Sequence, residues 1–190
     1  MTREHDAAPD SQPSPPEGVT VVLGGAGDID RLEALWLQLH GVHQAVDPQL
    51  GPWVDDETSW GKRRELYEHC LAQPDSFLLL AMRDQQLVGY VVVTVEPDGA
   101  VLWNDSWVVG EKVAELETIV LLPEERDRGL GTYLLDVVDA ELERRGIHDM
   151  AIGAVPGNRG AIELYERRGF ELNWVILTRF RSRRVKHDER

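Results

Sequence analysis

The chain has 190 residues, of which 42% are hydrophobic and 28% are charged, as expected for a globular domain with a substantial core. Its formal net charge of −14 argues against nucleic acid as a main partner, although it would attract cationic amines or simply favour solubility. The single cysteine, Cys70, excludes an internal disulfide, and the absence of a long apolar run leads us to expect a cytoplasmic protein that does not enter membranes.

Both ends of the chain are predicted to be tails. Residues 1–18 are rich in Pro, Asp, Ser and Glu and lack the apolar core of a signal peptide, so we expect them to be disordered. Residues 182–190 form a basic tail, which leaves one folded domain over residues 19–181.

Hydrophobic periodicity predicts eleven elements in the order β α α β β β β α β α β. The strands are expected at residues 19–23, 77–82, 87–95, 101–109, 114–122, 150–155 and 174–180. The helices are expected at residues 32–39, 62–71, 132–145 and 161–168. This order predicts an α/β (α+β) fold with a mixed sheet of about six or seven strands and helices on both faces.

The segment from Glu115 to Thr132 carries the clearest chemical signal, because a strand, a glycine-rich loop and a helix start follow one another directly. Gly129 and Gly131 lack a Cβ, so the backbone there can approach a phosphate closely. The N-terminus of the following helix favours an anion, and Arg126 and Arg128 add charged donors. The pattern predicts a diphosphate-binding loop, with a plain strand–helix turn as the alternative.

A second segment, NRGAIELYERRGF, occupies residues 158–170 and predicts a short helix. Gly169 stands where a helix commonly needs a left-handed residue at its end, and Arg167 and Arg168 suit the last turn.

Together these segments resemble the GNAT superfamily of N-acetyltransferases. The pattern Leu-x-Pro-x-x-Arg-x-x-Gly-x-Gly at 121–131 is similar to its motif A, and residues 158–170 are similar to the family's Asn-x-x-Ala-x-x-x-Tyr-x-x-x-Gly-Phe segment. The resemblance covers roughly residues 19–180 and is specific at 115–170. It implies the GNAT fold with splayed central strands, acetyl-CoA as cosubstrate and no metal.

The resemblance also implies which residues bind the cosubstrate. They are Ile119, Val120, Leu121, Arg126, Asp127, Arg128, Gly129, Leu130, Gly131, Thr132, Asn158 and Tyr165. One departure stands out, because Asp127 occupies a position where many members carry glycine. A carboxylate near a diphosphate is unfavourable, although only the backbone N–H of Asp127 need face the ligand.

Four residues are candidates for catalysis by the same resemblance. Glu117 is our first choice for the base that takes a proton from the amine, and Glu115 is the second. The backbone N–H near Leu121 would stabilise the oxyanion, and Tyr165 would protonate the departing thiolate. Period-two alternation places Glu115, Glu117, Ile119 and Leu121 on one face of their strand. The alternative is that both glutamates are ordinary polar residues on an exposed strand.

The residues that would bind the acceptor amine are harder to identify from the sequence. Residues 47–61 read as an acidic, aromatic loop, and Trp53, Asp55 and Trp60 within it, together with Trp103, are candidates for binding a cationic amine. Ordinary packing explains the same residues almost as well. His40 and His43 lie one helical turn apart, but nothing near them in sequence completes a metal site.

We therefore expect an acetyl-CoA-dependent transferase that acts on a primary amine, with a small molecule as the first choice of acceptor, by direct attack in a ternary complex. A protein lysine or N-terminus is an alternative acceptor, and a non-catalytic acyl-CoA sensor is an alternative of another class. A homodimer is suggested by the resemblance alone.

Overall fold

A mixed β-sheet runs through the residues that the computed structural model describes, 14–97 and 108–179. Its strands are Val19–Gly24 (β1), Phe77–Arg83 (β2), Gln86–Pro97 (β3), Lys112–Leu121 (β4) and Asp149–Ile152 (β5). The α-helices in the same ranges are Glu33–Val46 (α1), Asp56–Ala72 (α2), Leu130–Arg144 (α3) and Arg159–Arg167 (α4). Short 3₁₀ turns at Ala26–Leu32, Pro48–Leu50 and Pro123–Glu125 lead into α1, α2 and α3.

The strands lie in the order β1-β2-β3-β4-β5. The first four pair antiparallel, and β5 pairs parallel to β4 after the crossover through α3. This confirms the predicted mixed sheet, with five strands in the described residues rather than six or seven.

The sheet separates two apolar cores, since successive side chains of a strand point to opposite faces. Along β2, Phe77 and Leu79 enter the first core, which holds α3 and α4, whereas Leu78 and Leu80 enter the second, which holds α1 and α2. Cys70 lies in the second core, where burial raises the pKa of its thiol to about 11. It is therefore a buried, protonated thiol that packs in the core.

Helix α3 packs against the sheet through one apolar face, as expected for an amphipathic helix. Its buried residues are Leu130, Leu134, Leu135, Val138 and Leu142, one apolar stripe against the sheet. Truncating a leucine in such a stripe typically costs about 2–5 kcal/mol.

The predicted last strand is wrong within the described residues. Residues 171–179 are irregular, and Leu172, Val175, Ile176 and Leu177 expose between 67% and 91% of their surface. β-branched and apolar residues favour a strand only where a neighbouring edge accepts them. The predicted strand at 101–109 lies outside the described residues except for Val108 and Val109, which are irregular.

The prediction for residues 47–61 was also partly wrong, because α2 begins at Asp56 and includes Trp60. Asp55 starts the helix by accepting the backbone N–H of Thr58 at 2.8 Å, which makes it an N-cap. The outer parts of both predicted tails, residues 1–13 and 180–190, lie outside the described residues. Within the described ranges, no helix combines the length and apolar character needed to cross a membrane.

Candidate active site

Strand β4 continues well past the end of its parallel neighbour. β5 pairs with β4 only from Val113 to Leu116, so the last five residues of β4 have no strand on that side in the described part of the chain. β5 itself ends at Ile152, so this unpaired end of β4 is where the resemblance implies the splay. Backbone groups along it are free to meet an extended ligand.

A β-bulge interrupts β4 at Glu117. Val92 of β3 pairs with Thr118 and Val93 pairs with Leu116, so Glu117 lies between two paired residues without a partner on β3. A bulge adds one residue to a strand and reverses the alternation beyond it.

This bulge corrects the prediction that four residues of β4 share one face. Glu117 faces Arg63 of α2, and Thr118 beside it also faces α2. Ile119 and Leu121 instead pack against the first core, on the opposite side of the sheet. Val120 is buried in the second core.

A buried hydroxyl network lies directly behind the bulge. Tyr67 of α2 donates a hydrogen bond to Oγ1 of Thr118 at 2.7 Å, and its oxygen lies 3.0 Å from the hydroxyl of Tyr90 on β3. Thr118 is 4% exposed and both tyrosines are fully buried. Hydrogen bonds in such surroundings are costly to leave unmade, so the network fixes the bulge against α2.

The two candidate bases differ in their surroundings. Burial raises the pKa of the Glu117 carboxyl, Glu115 raises it further, and the Arg63 guanidinium opposes both. Partial burial and Glu96 raise the pKa of Glu115, although its side chain still reaches solvent. Both shifts move a carboxyl toward the range useful for proton transfer, and Glu117 is the less exposed of the two.

The glycine loop adopts the backbone that its sequence favours. Gly129 has φ of +81° and immediately precedes α3, and Asp127 has φ of 58° with an exposed side chain. Leu130 is fully buried and anchors the start of the helix. Tyr133 donates the first helical hydrogen bond, to the Gly129 carbonyl at 2.9 Å. The preceding N–H groups of α3, including those of Gly131 and Thr132, therefore have no helical acceptor and are available to an anion.

An ion pair at the base of this loop fixes its approach to the sheet. Arg83 at the end of β2 donates two hydrogen bonds to the Glu125 carboxylate, at 2.7 and 2.8 Å. Those hydrogen bonds lower the pKa of Glu125, whose side chain is almost wholly buried. Arg126 and Arg128, two of the predicted diphosphate ligands, have exposed side chains beyond it.

Three predicted parts of the site meet at Gly131. A Cβ at this position would lie 3.4 Å from Leu164 of α4 and 3.7 Å from Leu121 of β4. The glycine loop, the open end of β4 and the helix that carries Tyr165 are thus in contact. A cleft of about 410 Å³ adjoins the loop, lined by Ser14, Pro16, Arg128, Gly129, Thr132, Tyr133 and Asp136.

Helix α4 supplies the other two predicted contacts. Asn158 caps it, accepting the backbone N–H of Ala161 at 3.4 Å. Tyr165 is 9% exposed, and burial raises the pKa of its phenol to about 12, so it stays protonated at neutral pH.

The loop before α4 is tied to α1. The N–H of Gly157 donates to the buried Asp47 carboxylate at 2.6 Å. A side chain on Gly157 would strike the carbonyl oxygen of Val46, so only glycine allows this approach.

Three of the four predicted acceptor residues are described, and each has its own contacts. Asp55 caps α2, and Trp60 packs against the second core. Trp53 meets His40 edge to face, with ring centroids 5.8 Å apart. Trp103 lies outside the described residues.

The structure instead brings forward residues that the sequence analysis missed. Arg63 lies 3.6 Å from Glu117 and stacks on Trp36 of α1, and its charge helps to lower the pKa of His43 on α1. Arg63 and Tyr67 are one helical turn apart, which was the available signal. Their pairing with α1 and β4 depends on tertiary contacts that spacing does not reveal.

The family comparison agrees with these features. A family model described as the acetyltransferase (GNAT) family matches residues 39–170. A mycothiol acetyltransferase of Thermobispora bispora is 30% identical over 171 residues, which are 89% of this chain and 52% of that protein. An uncharacterized N-acetyltransferase of Methanocaldococcus jannaschii is 32% identical over 103 residues, 53% of this chain and 46% of that protein. The chain spans about half the length of these curated relatives.

Solved structures show the same fold at low identity. A GCN5-related N-acetyltransferase from Ralstonia eutropha has a TM-score of 0.63 at 18% identity, covering 86% of this chain and 99% of its own. A Clostridium acetobutylicum protein described as a predicted acetyltransferase with acetyl-CoA has a TM-score of 0.60 at 18% identity, with coverages of 84% and 96%. The aminoglycoside N-acetyltransferase AAC(6')-Iy, in complex with CoA, has a TM-score of 0.59 at 21% identity, with coverages of 86% and 95%.

Proposed function

Since this chain belongs to the GNAT family of acetyltransferases, by the match over residues 39–170, we propose that it transfers an acetyl group from acetyl-CoA to a primary amine. The observation that carries the proposal is the meeting of the glycine loop, the open end of β4 and α4 at Gly131. An anion-binding helix start, a strand edge for an extended chain and a buried phenol are the parts that a CoA thioester requires.

Acetyl-CoA fits the residues present. The first N–H groups of α3, with Arg126 and Arg128 beside them, suit the diphosphate. The unpaired edge of β4 suits the extended arm, which leads toward Glu117 and Tyr165. Asn158 supports the same ligand from the start of α4.

The reaction is a direct attack within a ternary complex. Amines of the lysine type have a pKa near 10.4 and are mostly protonated at neutral pH, so a base must take a proton. The ammonium group loses one proton to solvent as it binds, and Glu117 accepts a second proton from the nitrogen as that nitrogen attacks the thioester carbonyl carbon. The backbone N–H near Leu121 stabilises the oxyanion. The carbon–sulfur bond then breaks, and the departing thiolate takes the Tyr165 proton. The proton held by Glu117 is released to solvent, and the Tyr165 phenolate takes up a proton from solvent, which restores both groups.

A small molecule is the favoured acceptor class. Among the relatives, mycothiol acetyltransferases and an aminoglycoside N-acetyltransferase are named for small-molecule substrates, which supports this choice. The acidic residues Glu96 and Glu115 beside Glu117 suit a cationic amine that is deprotonated on binding.

The test is thiol release from acetyl-CoA across small amines, lysine peptides and N-terminal peptides, with Glu117→Gln alongside. Turnover with one acceptor class, lost in the variant, is the expected result. Release from peptides alone would move the acceptor to proteins. Tight CoA binding without release from any acceptor would contradict the enzyme and favour an acyl-CoA sensor.

A further inference from the structure

The guanidinium of Arg63 lies 3.6 Å from the Glu117 carboxylate on the α1/α2 side of the sheet. The two side chains are only 22% and 18% exposed. Ion pairs on open surfaces contribute little because water screens them, but charges shielded to this extent act on each other more strongly.

An aromatic support holds Arg63 in place. Its guanidinium carbon lies 3.9 Å from the ring centroid of Trp36, and the Trp36 indole N–H donates to the Ser59 hydroxyl at 3.0 Å. Trp36 and Ser59 are both buried. Ser59 precedes Arg63 by one turn of α2, so the helix that carries the cation also fixes the ring beneath it.

The pair differs in geometry from the ion pair that anchors the glycine loop. Arg83 clamps Glu125 with two hydrogen bonds of 2.7 and 2.8 Å, which occupy both carboxylate oxygens. At 3.6 Å, Arg63 is beyond hydrogen-bonding range of Glu117. The cation therefore acts on Glu117 through its field and leaves the carboxylate oxygens available to an incoming N–H.

Within residues 14–97 and 108–179, the other titratable groups considered around Glu117 supply no positive charge at neutral pH. Glu115 on β4 and Glu96 on β3 are acidic, and Tyr67 and Cys70 of α2 have pKa values raised by burial to about 12 and about 11. Burial, and then Arg63, lower the pKa of His43 on α1, which keeps its imidazole neutral. Of these groups, Arg63 alone is a cation.

We propose that Arg63 is a positioning residue that keeps Glu117 ionised and open to the acceptor amine, an inference that rests on the proposed role of Glu117 as the base. Without this cation, burial and two neighbouring carboxylates all favour a protonated Glu117. A protonated carboxyl cannot accept the amine proton, so activity would fail first at the acid end of the pH range.

The kinetic test compares Arg63→Met with Arg63→Lys, because the first removes the charge and the second keeps it. We expect the acid limb of kcat/KM to move to higher pH in Arg63→Met, with a loss of about tenfold at pH 6 relative to the alkaline plateau. Arg63→Lys should keep the limb in place. A residue that acts only in folding would lower activity equally at all pH values, and that result would overturn the proposal.

A matched control lies next to it on α2. Arg64 is 49% exposed and, in the described part of the chain, forms ion pairs with the surface residues Asp30 and Glu68, so Arg64→Met removes the same charge from the same helix. Its pH profile should coincide with that of the unaltered protein. A shift equal to that of Arg63→Met would show a non-local effect of net charge and would also overturn the proposal.

A measurement that needs no turnover separates this inference from the proposed function. The Glu117 carboxyl can be titrated by carbon NMR in glutamate-labelled protein, with Glu117→Gln to assign the signal. A higher Glu117 pKa in Arg63→Met supports the link, and an unchanged pKa overturns it. If the Glu117 pKa rises but no acceptor is ever acetylated, the electrostatic link is supported and the proposed function is the part that fails.

Discussion

Tyr165 is the residue at which the proposed chemistry can be separated from packing. Its ring packs on Phe170 with centroids 5.9 Å apart, and Tyr165→Phe keeps that contact while removing the proton that would go to the thiolate. We expect kcat to fall roughly 10²-fold while CoA affinity changes less than about threefold. Steady-state kinetics measures kcat, and calorimetry measures the affinity for CoA. Equal losses in both would exclude Tyr165 as the acid.

A substitution at Gly129 tests the proposed anion site formed by the glycine loop and the start of α3. Because a Cβ there meets nothing within 4 Å, Gly129→Glu adds backbone strain and a negative charge without a clash. We expect at least about a hundredfold loss of CoA affinity by calorimetry, since the charge opposes the diphosphate. Gly146 is the control, because it has φ of +71° and open space at the other end of α3. If Gly146→Glu weakens CoA binding as much, strain alone explains the loss.

At the scale of elements, the clamp between β2 and the glycine loop should give a pH-dependent stability. The folded protein lowers the Glu125 pKa, so this contribution is fully present above the ordinary glutamate pKa and is lost as pH falls through the lowered value. We expect Tm to fall less between pH 6 and pH 3 in Glu125→Gln than in the unaltered protein. Glu124→Gln, at the exposed neighbour, should leave the pH dependence as it was. Parallel Tm curves for all three proteins would contradict this role.

The hydroxyl network behind the bulge is a second prediction at this scale. Thr118→Val keeps the volume of the side chain but leaves the Tyr67 hydroxyl without one of its partners. We expect a loss of about 1–3 kcal/mol in the free energy of unfolding, measured in urea. Thr20→Val on the exposed side of β1 should change it by less than about 0.5 kcal/mol. If Thr118→Val left the free energy of unfolding unchanged, the hydroxyl network would not be needed to stabilise the bulge.

Across the whole molecule, sequence patterns predicted those elements that form through interactions between residues close in sequence. Helices α3 and α4, the glycine loop and the antiparallel strands follow from periodicity and turn chemistry, and they formed near the expected residues. The bulge at Glu117 could not be predicted in this way, because strand register depends on the neighbouring strand. Arg63 and Trp36 are far apart in sequence and meet only once two helices pack. The apolar run after α4 was wrongly predicted to be a strand, because the sequence does not show whether a sheet edge is available to pair with it.

The hydrogen bond between Asp47 and Gly157 bears on how two ligands bind to one protein. It joins α1, which faces the proposed base, to the loop that enters α4 on the proposed CoA side. Any coupling free energy that this contact carries between the two sites acts equally in both directions. Whatever factor acetyl-CoA contributes to the affinity for the acceptor, the acceptor must return to acetyl-CoA. An unreactive acceptor analogue that changes the affinity for CoA would reveal such coupling, and an analogue without effect would show that the contact transmits none.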